Sequence, residues 1–176
     1  MSVSLSAPKP LADSHYTDDF DCGEQTLNDW LRRRARANQA SEASRTYVVC
    51  EEKCVAAYYA LASGAIAQAD VPGRFRRNMP NPIPVVVLAR LAVDRNYQSR
   101  GVGRALFRDA GRRVINAADT IGIRGIVVHA ISEKARKFYL TLGFDPCRAD
   151  SMTLVVTLQD LRAALDLAPD SALTIS

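Results

Sequence analysis

The sequence predicts an α/β fold in which helices flank a mixed sheet, and two observations carry that expectation. Dense apolar runs of strand length, at residues 85–93 and 123–130, alternate with segments whose apolar residues recur at helical spacing. A glycine-containing turn joins the first run directly to the helix after it, which is the connection of a strand–helix–strand unit.

The elements follow in order. After an extended start, residues 20–39 place Leu27, Trp30, Leu31 and Ala35 on one helical face, with arginines over the rest. Residues 45–63 read as a hairpin around Glu51-Glu52-Lys53. The stretch 64–84 carries Pro72, Pro80, Pro82 and Pro84, which predicts loop or short broken helix. Residues 85–93 then read as a buried strand. A helix is expected at 102–118, where Val102, Ala105, Leu106, Val114 and Ala117 keep the helical period. Residues 123–130 give another buried strand. Ser132 is placed to cap a helix that runs through Leu140 and stops at Gly143. Residues 152–158, MTLVVTL, supply a last strand. Residues 1–166 are expected to form a single domain and 167–176 a flexible tail.

Composition narrows the class. The chain has 176 residues, 48% of them hydrophobic and 24% charged, enough for a core without metal or disulfide staples. Its longest apolar stretch is far short of the ~20 residues that span a bilayer. The opening MSVSLSAPKP lacks a basic region and an apolar run, so a cytoplasmic location is expected. Cys22, Cys50, Cys54 and Cys147 are then expected as free, buried, small hydrophobes, and with only His15 and His129 available no metal site is expected. The net charge is +4. It is concentrated in two clusters, Arg32, Arg33, Arg34 and Arg36, and Arg74, Arg76 and Arg77. Such clusters form either a solvated face or the contact surface for a polyanion.

The most informative segment is residues 88–110, LARLAVDRNYQSRGVGRALFRDA. Gly101 and Gly103 remove side chains where backbone amides must approach an anion, and the helix that opens there offers unsatisfied N–H groups and its dipole. Arg100 and Arg104 bracket the glycines and add charge-assisted bonds to phosphate oxygens. A dinucleotide fold needs a third glycine where Leu106 stands, and a P-loop needs a GK[ST] triplet that is absent.

The pattern Gln98-x-x-Gly101-x-Gly103, after an apolar strand, closely resembles the signature of the GNAT acetyltransferases. Residues 131–144, ISEKARKFYLTLGF, resemble the same family's second signature. The resemblance implies a central mixed sheet whose fourth and fifth strands splay apart, and acetyl-CoA as co-substrate. It assigns Leu91, Ala92 and Val93 to the pantetheine arm. The pyrophosphate falls to Gln98, Ser99, Arg100, Gly101, Val102, Gly103, Arg104 and Ala105, with Ser132 and Phe138 as further cofactor contacts. Tyr139 matches the tyrosine that returns a proton to the departing thiolate; by its sequence alone it is equally a packed aromatic. Several relatives carry a glutamate on the fifth strand, where Ile126, Val127 and Val128 stand here. His129 is a weak substitute. An α-amino group, with a pKa near ~8, needs less help from a base than a lysine near ~10.4.

Over most of its length the chain further resembles the GNAT toxins of type II toxin–antitoxin modules. That implies acetylation of the α-amino group of aminoacyl-tRNA, inhibition of translation, a ribbon-helix-helix antitoxin and a homodimer, with operator DNA reached only through the antitoxin. Arg32, Arg33, Arg36, Arg74, Arg76 and Arg77 would then hold the tRNA backbone. The competing expectations are an acetyltransferase for protein N-termini or small amines, and a non-catalytic binding module.

Overall fold

The computed structural model describes residues 4–166; the tail expected at 167–176 lies outside the described residues. Seven strands, β1 (Lys9–Pro10), β2 (Arg45–Glu51), β3 (Cys54–Ile66), β4 (Ile83–Val93), β5 (Gly125–His129), β6 (Asp145–Pro146) and β7 (Thr153–Thr157), form one mixed sheet. Their order is β1-β2-β3-β4-β5-β7-β6. Six helices accompany them among the described residues: α1 (Gln25–Arg33), α2 (Ala35–Ala40), α3 (Gly73–Arg76), α4 (Val102–Ala118), α5 (Glu133–Thr141) and α6 (Leu158–Asp166). The pair β4–β5 is parallel, with register from Val86↔Ile126 to Leu88↔Val128. Strand β4 continues to Val93, past that register, as the splayed-strand expectation requires. By contact density the described residues form two units, 4–62 with 90–110 and 63–89 with 111–166, whose segments interleave along the sequence.

In the first unit, the helix expected over residues 20–39 is broken at Arg34 into α1 and α2. The predicted apolar face is retained: Leu27, Leu31 and Ala35 are buried with Phe20, Val48 and Tyr58. Trp30 stacks on Tyr58 with centroids 5.9 Å apart, and the Tyr58 hydroxyl donates to Leu27 O at 2.7 Å. The hairpin turns at Glu52, whose φ of 56° is left-handed.

In the second unit, Phe75, Ile83, Val127 and Val155 share a core. Arg124 ties α3 down by donating to Phe75 O and Arg74 O, both at 2.7 Å. Strand β5 can lie against β7 because residue 125 is glycine: a Cβ there would stand 1.9 Å from Val156 O.

Several expectations need correction. Strand β4 is less buried than its composition predicts: Ile83, Val85, Leu88 and Ala92 are inside, while Val86, Val87, Leu91 and Val93 are half-buried. Successive side chains alternate faces, and the buried positions change parity between Val85 and Leu88, so neither face of the strand is covered along its whole length. Ala117 is exposed in the last turn of α4. Cys50 and Cys147 are buried, but Cys22 is half-buried and Cys54 exposed, all four as free thiols. Helix α6 was not expected. Thr157 caps it by accepting from Asp160 N at 3.1 Å, and Leu161 and Leu165 are buried. Among the described residues no helix is long and apolar enough to cross a membrane.

Candidate active site

The glycine turn is held from below by a buried carboxylate. Asp94, 6% exposed at the end of β4, accepts from Asn96 N and from Asp21 N, both at 2.9 Å. A 3-10 turn over Arg95–Tyr97 follows. The Tyr97 hydroxyl donates to the Glu51 carboxylate, a bond that pushes its pKa up to about 12. Gln98, expected to touch the cofactor, is exposed and spends its carboxamide N–H groups on the protein's own backbone. Its Nε2 donates to Val93 O and to Cys22 O, each at 2.9 Å.

Beyond these anchors the backbone opens. Ser99 and Gly101 have φ of 65° and 82°, and left-handed residues at alternate positions gather successive N–H groups into an anion-binding concavity. For Ser99 this conformation costs on the order of 1 kcal/mol, which the anchored turn must sustain. Ala105 N is the first amide of α4 to reach the turn, donating to Gly101 O at 3.1 Å. The amides of Val102 and Gly103 precede it, at the positive end of a helix that extends to Ala118. A Cβ at Gly101 would meet nothing within 4 Å, so the space in front of this residue is open. Arg100 and Arg104 are exposed on either side, with the Arg100 guanidinium 5.8 Å from the Tyr97 ring centroid. The turn can therefore receive a polyanionic phosphate group on backbone amides and two guanidinium groups.

Tyr139 has a different setting. It lies on α5 and is 7% exposed, between Phe138 and Phe144, whose ring centroids are 5.3 and 5.4 Å away in edge-to-face arrangements. Burial raises its pKa above the ordinary 10.0, so the hydroxyl stays protonated and able to donate. Ser132 caps α5 as expected, accepting from Ala135 N at 3.1 Å.

Ile126, Val127 and Val128 are buried apolar residues, and offer no base. His129 is exposed, with Nδ1 3.0 Å from Thr153 Oγ1, a strand-end contact. Among the described residues no group of three or more His, Cys, Asp and Glu side chains could hold a metal ion.

The arginine clusters divide by role. Arg32 donates to Phe20 O and, at 3.4 Å, to Thr17 O. Arg36 donates to His15 O at 2.5 Å and Ala12 O at 3.3 Å. Arg74 pairs with Asp160 and Asp145. These three hold the protein's own chain, whereas Arg33, Arg34 and Arg77 are exposed and Arg76 is half-buried. Asp94, Asp21 and Asn28 escaped the sequence reading. The available signal was Asp94 itself, a short acceptor side chain between a strand and a turn.

The comparisons with known proteins agree with this geometry. The family described as acetyltransferase (GNAT) domain matches residues 42–146. The chain is 48% identical over 160 residues to a tRNA-acetylating toxin of Mycobacterium tuberculosis, covering 91% of this chain and 96% of that protein. Its fold is similar to that of AtaT complexed with acetyl-methionyl-tRNAfMet, with a TM-score of 0.83, 31% identity, and coverage of 90% of this chain and 98% of that one. It is similar as well to a mutant AtaT toxin bound to the C-terminus of the antitoxin AtaR and acetyl-CoA, with a TM-score of 0.78, 31% identity and coverage of 91% and 97%. A phosphate-ready turn after β4, a buried tyrosine on α5 and a family match that spans both make this chain a member of the GNAT acetyltransferase family.

Proposed function

We propose that the protein is the toxin of a type II toxin–antitoxin module, moving the acetyl group of acetyl-CoA to the α-amino group of aminoacyl-tRNA and so inhibiting translation. The observation that carries this reading is the 48% identity to a tRNA-acetylating toxin over 91% of the chain. Residues 1–166 act as one GNAT domain. The amides and arginines of residues 99–104 take the pyrophosphate, with Gln98 and Ala105 at the ends of the turn. The backbone of Leu91, Ala92 and Val93 takes the pantetheine arm, with Ser132 and Phe138 as further contacts. The neutral amine attacks the thioester carbonyl and forms the C–N bond, and its surplus proton passes to solvent. The C–S bond breaks as the tetrahedral adduct collapses, and Tyr139 protonates the departing thiolate and regains its proton from solvent. With no carboxylate at 126–128, an α-amine suits the site better than a lysine.

The partners of this reading are a ribbon-helix-helix antitoxin, a second copy of the chain, and operator DNA through the antitoxin; the setting is the cytoplasm. Arg33 and Arg34 in the first unit, and Arg76 and Arg77 in the second, contact the tRNA backbone; Arg32 and Arg36 hold the segment that carries the first pair and Arg74 the segment that carries the second. The test is acetylation of total charged tRNA with labelled acetyl-CoA, next to peptides with free N-termini. Labelled tRNA is expected, and neutralising Arg33, Arg34, Arg76 and Arg77 should lower tRNA affinity and flatten its salt dependence. Label in peptides alone would move the substrate to protein N-termini.

A further inference from the structure

Residues 20–23 are held on two sides by different parts of the first unit. On the α1 side, Asn28, 2% exposed, accepts from Cys22 N at 2.9 Å and donates to Asp21 Oδ1 at 3.0 Å. Arg32, one turn further along α1, donates to Phe20 O. On the side of the glycine turn, Asp21 N donates to Asp94 Oδ2, Arg95 N to Asp21 O, and Gln98 Nε2 to Cys22 O, each at 2.9 Å. Arg95 Nε also lies 3.8 Å from Asp21 Oδ2. Hydrogen bonds from Gly23 N–H and then from Asn28 hold the Asp21 carboxyl below the usual carboxylate range.

We infer that residues 20–23 are a strap fastening the phosphate-binding turn to α1, and that Asn28 is the positioning residue that fixes it. The Asn28 side chain hydrogen-bonds Cys22 and Asp21, and acts on the turn through them. Gln98 belongs to the same strap, with its amide group engaged by two backbone carbonyls. A buried amide that satisfies one donor and one acceptor on a neighbouring segment fixes that segment's position, because losing either bond leaves a buried polar group unpaired. The strap also joins the turn to the helix that carries Arg33 and Arg34, so occupation of the turn and the position of those arginines are linked and, as binding equilibria, reciprocally so.

The inference rests on the acetyl-CoA reading for its consequence but not for its geometry, and the experiment separates the two. In the ligand-free protein, Asn28→Asp keeps the acceptor for Cys22 and places a second carboxylate against Asp21. Amide hydrogen exchange over residues 95–105 should then rise about tenfold. The acetyl-CoA Kd, by calorimetry, should rise by about fivefold or more. The reciprocal pair Asp21→Asn with Asn28→Asp restores a donor and an acceptor and should recover both values. Gln25→Ala, which removes an exposed hydrogen bond to Asp29 on the outside of α1, should leave both at wild type. If Asn28→Asp does not fold, Gln98→Ala tests the strap from its exposed end: exchange over residues 20–28 should rise, a change that a side chain contacting only the cofactor would not cause. Unchanged exchange in the variant tested, or a reciprocal pair no better than Asn28→Asp alone, overturns the strap. A wild type that does not bind acetyl-CoA overturns the proposed function instead, and the exchange data still decide the strap.

Discussion

The glycine turn and the surroundings of Tyr139 are built on opposite principles. The turn is open and polar: its anchors, the buried Asp94 and the exposed Gln98, hydrogen-bond the protein's own backbone, and Gly101, Arg100 and Arg104 stand exposed beside them. Tyr139 is closed in by Phe138 and Phe144, with burial as the cause of its raised pKa. On the proposed reading, an anion arrives already charged, so the turn that receives it stays accessible. The proton donor of that reading must hold its proton until the thiolate forms, which suits a hydroxyl placed where the phenolate would be poorly solvated.

The comparison can be broken most decisively at Tyr139. Tyr139→Phe removes only the hydroxyl and keeps the ring packing, so kcat should fall about 100-fold or more while the acetyl-CoA Kd stays near wild type. A kcat near wild type removes Tyr139 from the chemistry. The direction of its pKa shift adds a sign test. With the folded value raised above 10.0, the stability it contributes is full below about pH 10 and lost as pH rises further, because only the unfolded chain releases the proton readily. The wild-type melting temperature should therefore keep a constant offset from that of Tyr139→Phe up to about pH 10 and then fall further than the variant's as pH rises.

Gly103→Val comes next. A branched side chain beside the open amides should raise the acetyl-CoA Kd about tenfold, or about 1.4 kcal/mol, with kcat at saturating cofactor little changed. Calorimetry showing wild-type affinity in a folded protein would remove the turn from the cofactor site.

Arg100→Gln should have the smallest effect. As an exposed residue it should weaken acetyl-CoA by about two- to threefold at low salt, and the difference should shrink as salt rises. Tyr139→Phe should show no such salt dependence. If the two variants respond alike to salt, the contrast between the regions is wrong.

Legibility in the sequence followed the range of the forces involved. Helix α4 was placed from Val102 to Ala118 by its glycine turn and apolar period, and Ser132 was identified as the cap of α5. Both depend on neighbours within a few residues. Helix α6 was missed although its signals are local: Thr157 with Asp160 three residues on, then Leu161 and Leu165. The apolar strand running into Leu158 obscured where one periodicity gave way to the other. The half-exposure of β4 was misread because apolar composition is the same whether a strand is covered on one face or two.

The amino-acid sequence by itself determined the alternation of strands and helices, the phosphate-ready turn, the tyrosine on α5 and the family to which they belong. Each is written in contiguous residues whose backbone preferences, apolar spacing and hydrogen-bonding side chains act locally. Only the tertiary structure decided which polar groups were left to act. It bonded Gln98 to Val93 and Cys22, committed Arg32, Arg36 and Arg74 to the protein's own chain, and joined Asn28 to Asp21 and Asp21 to Asp94. A side chain's hydrogen-bond partners are set by what folding brings within about 3 Å of it. Asp21 and Asp94 meet only after the chain between them has folded through α1, the hairpin and β4.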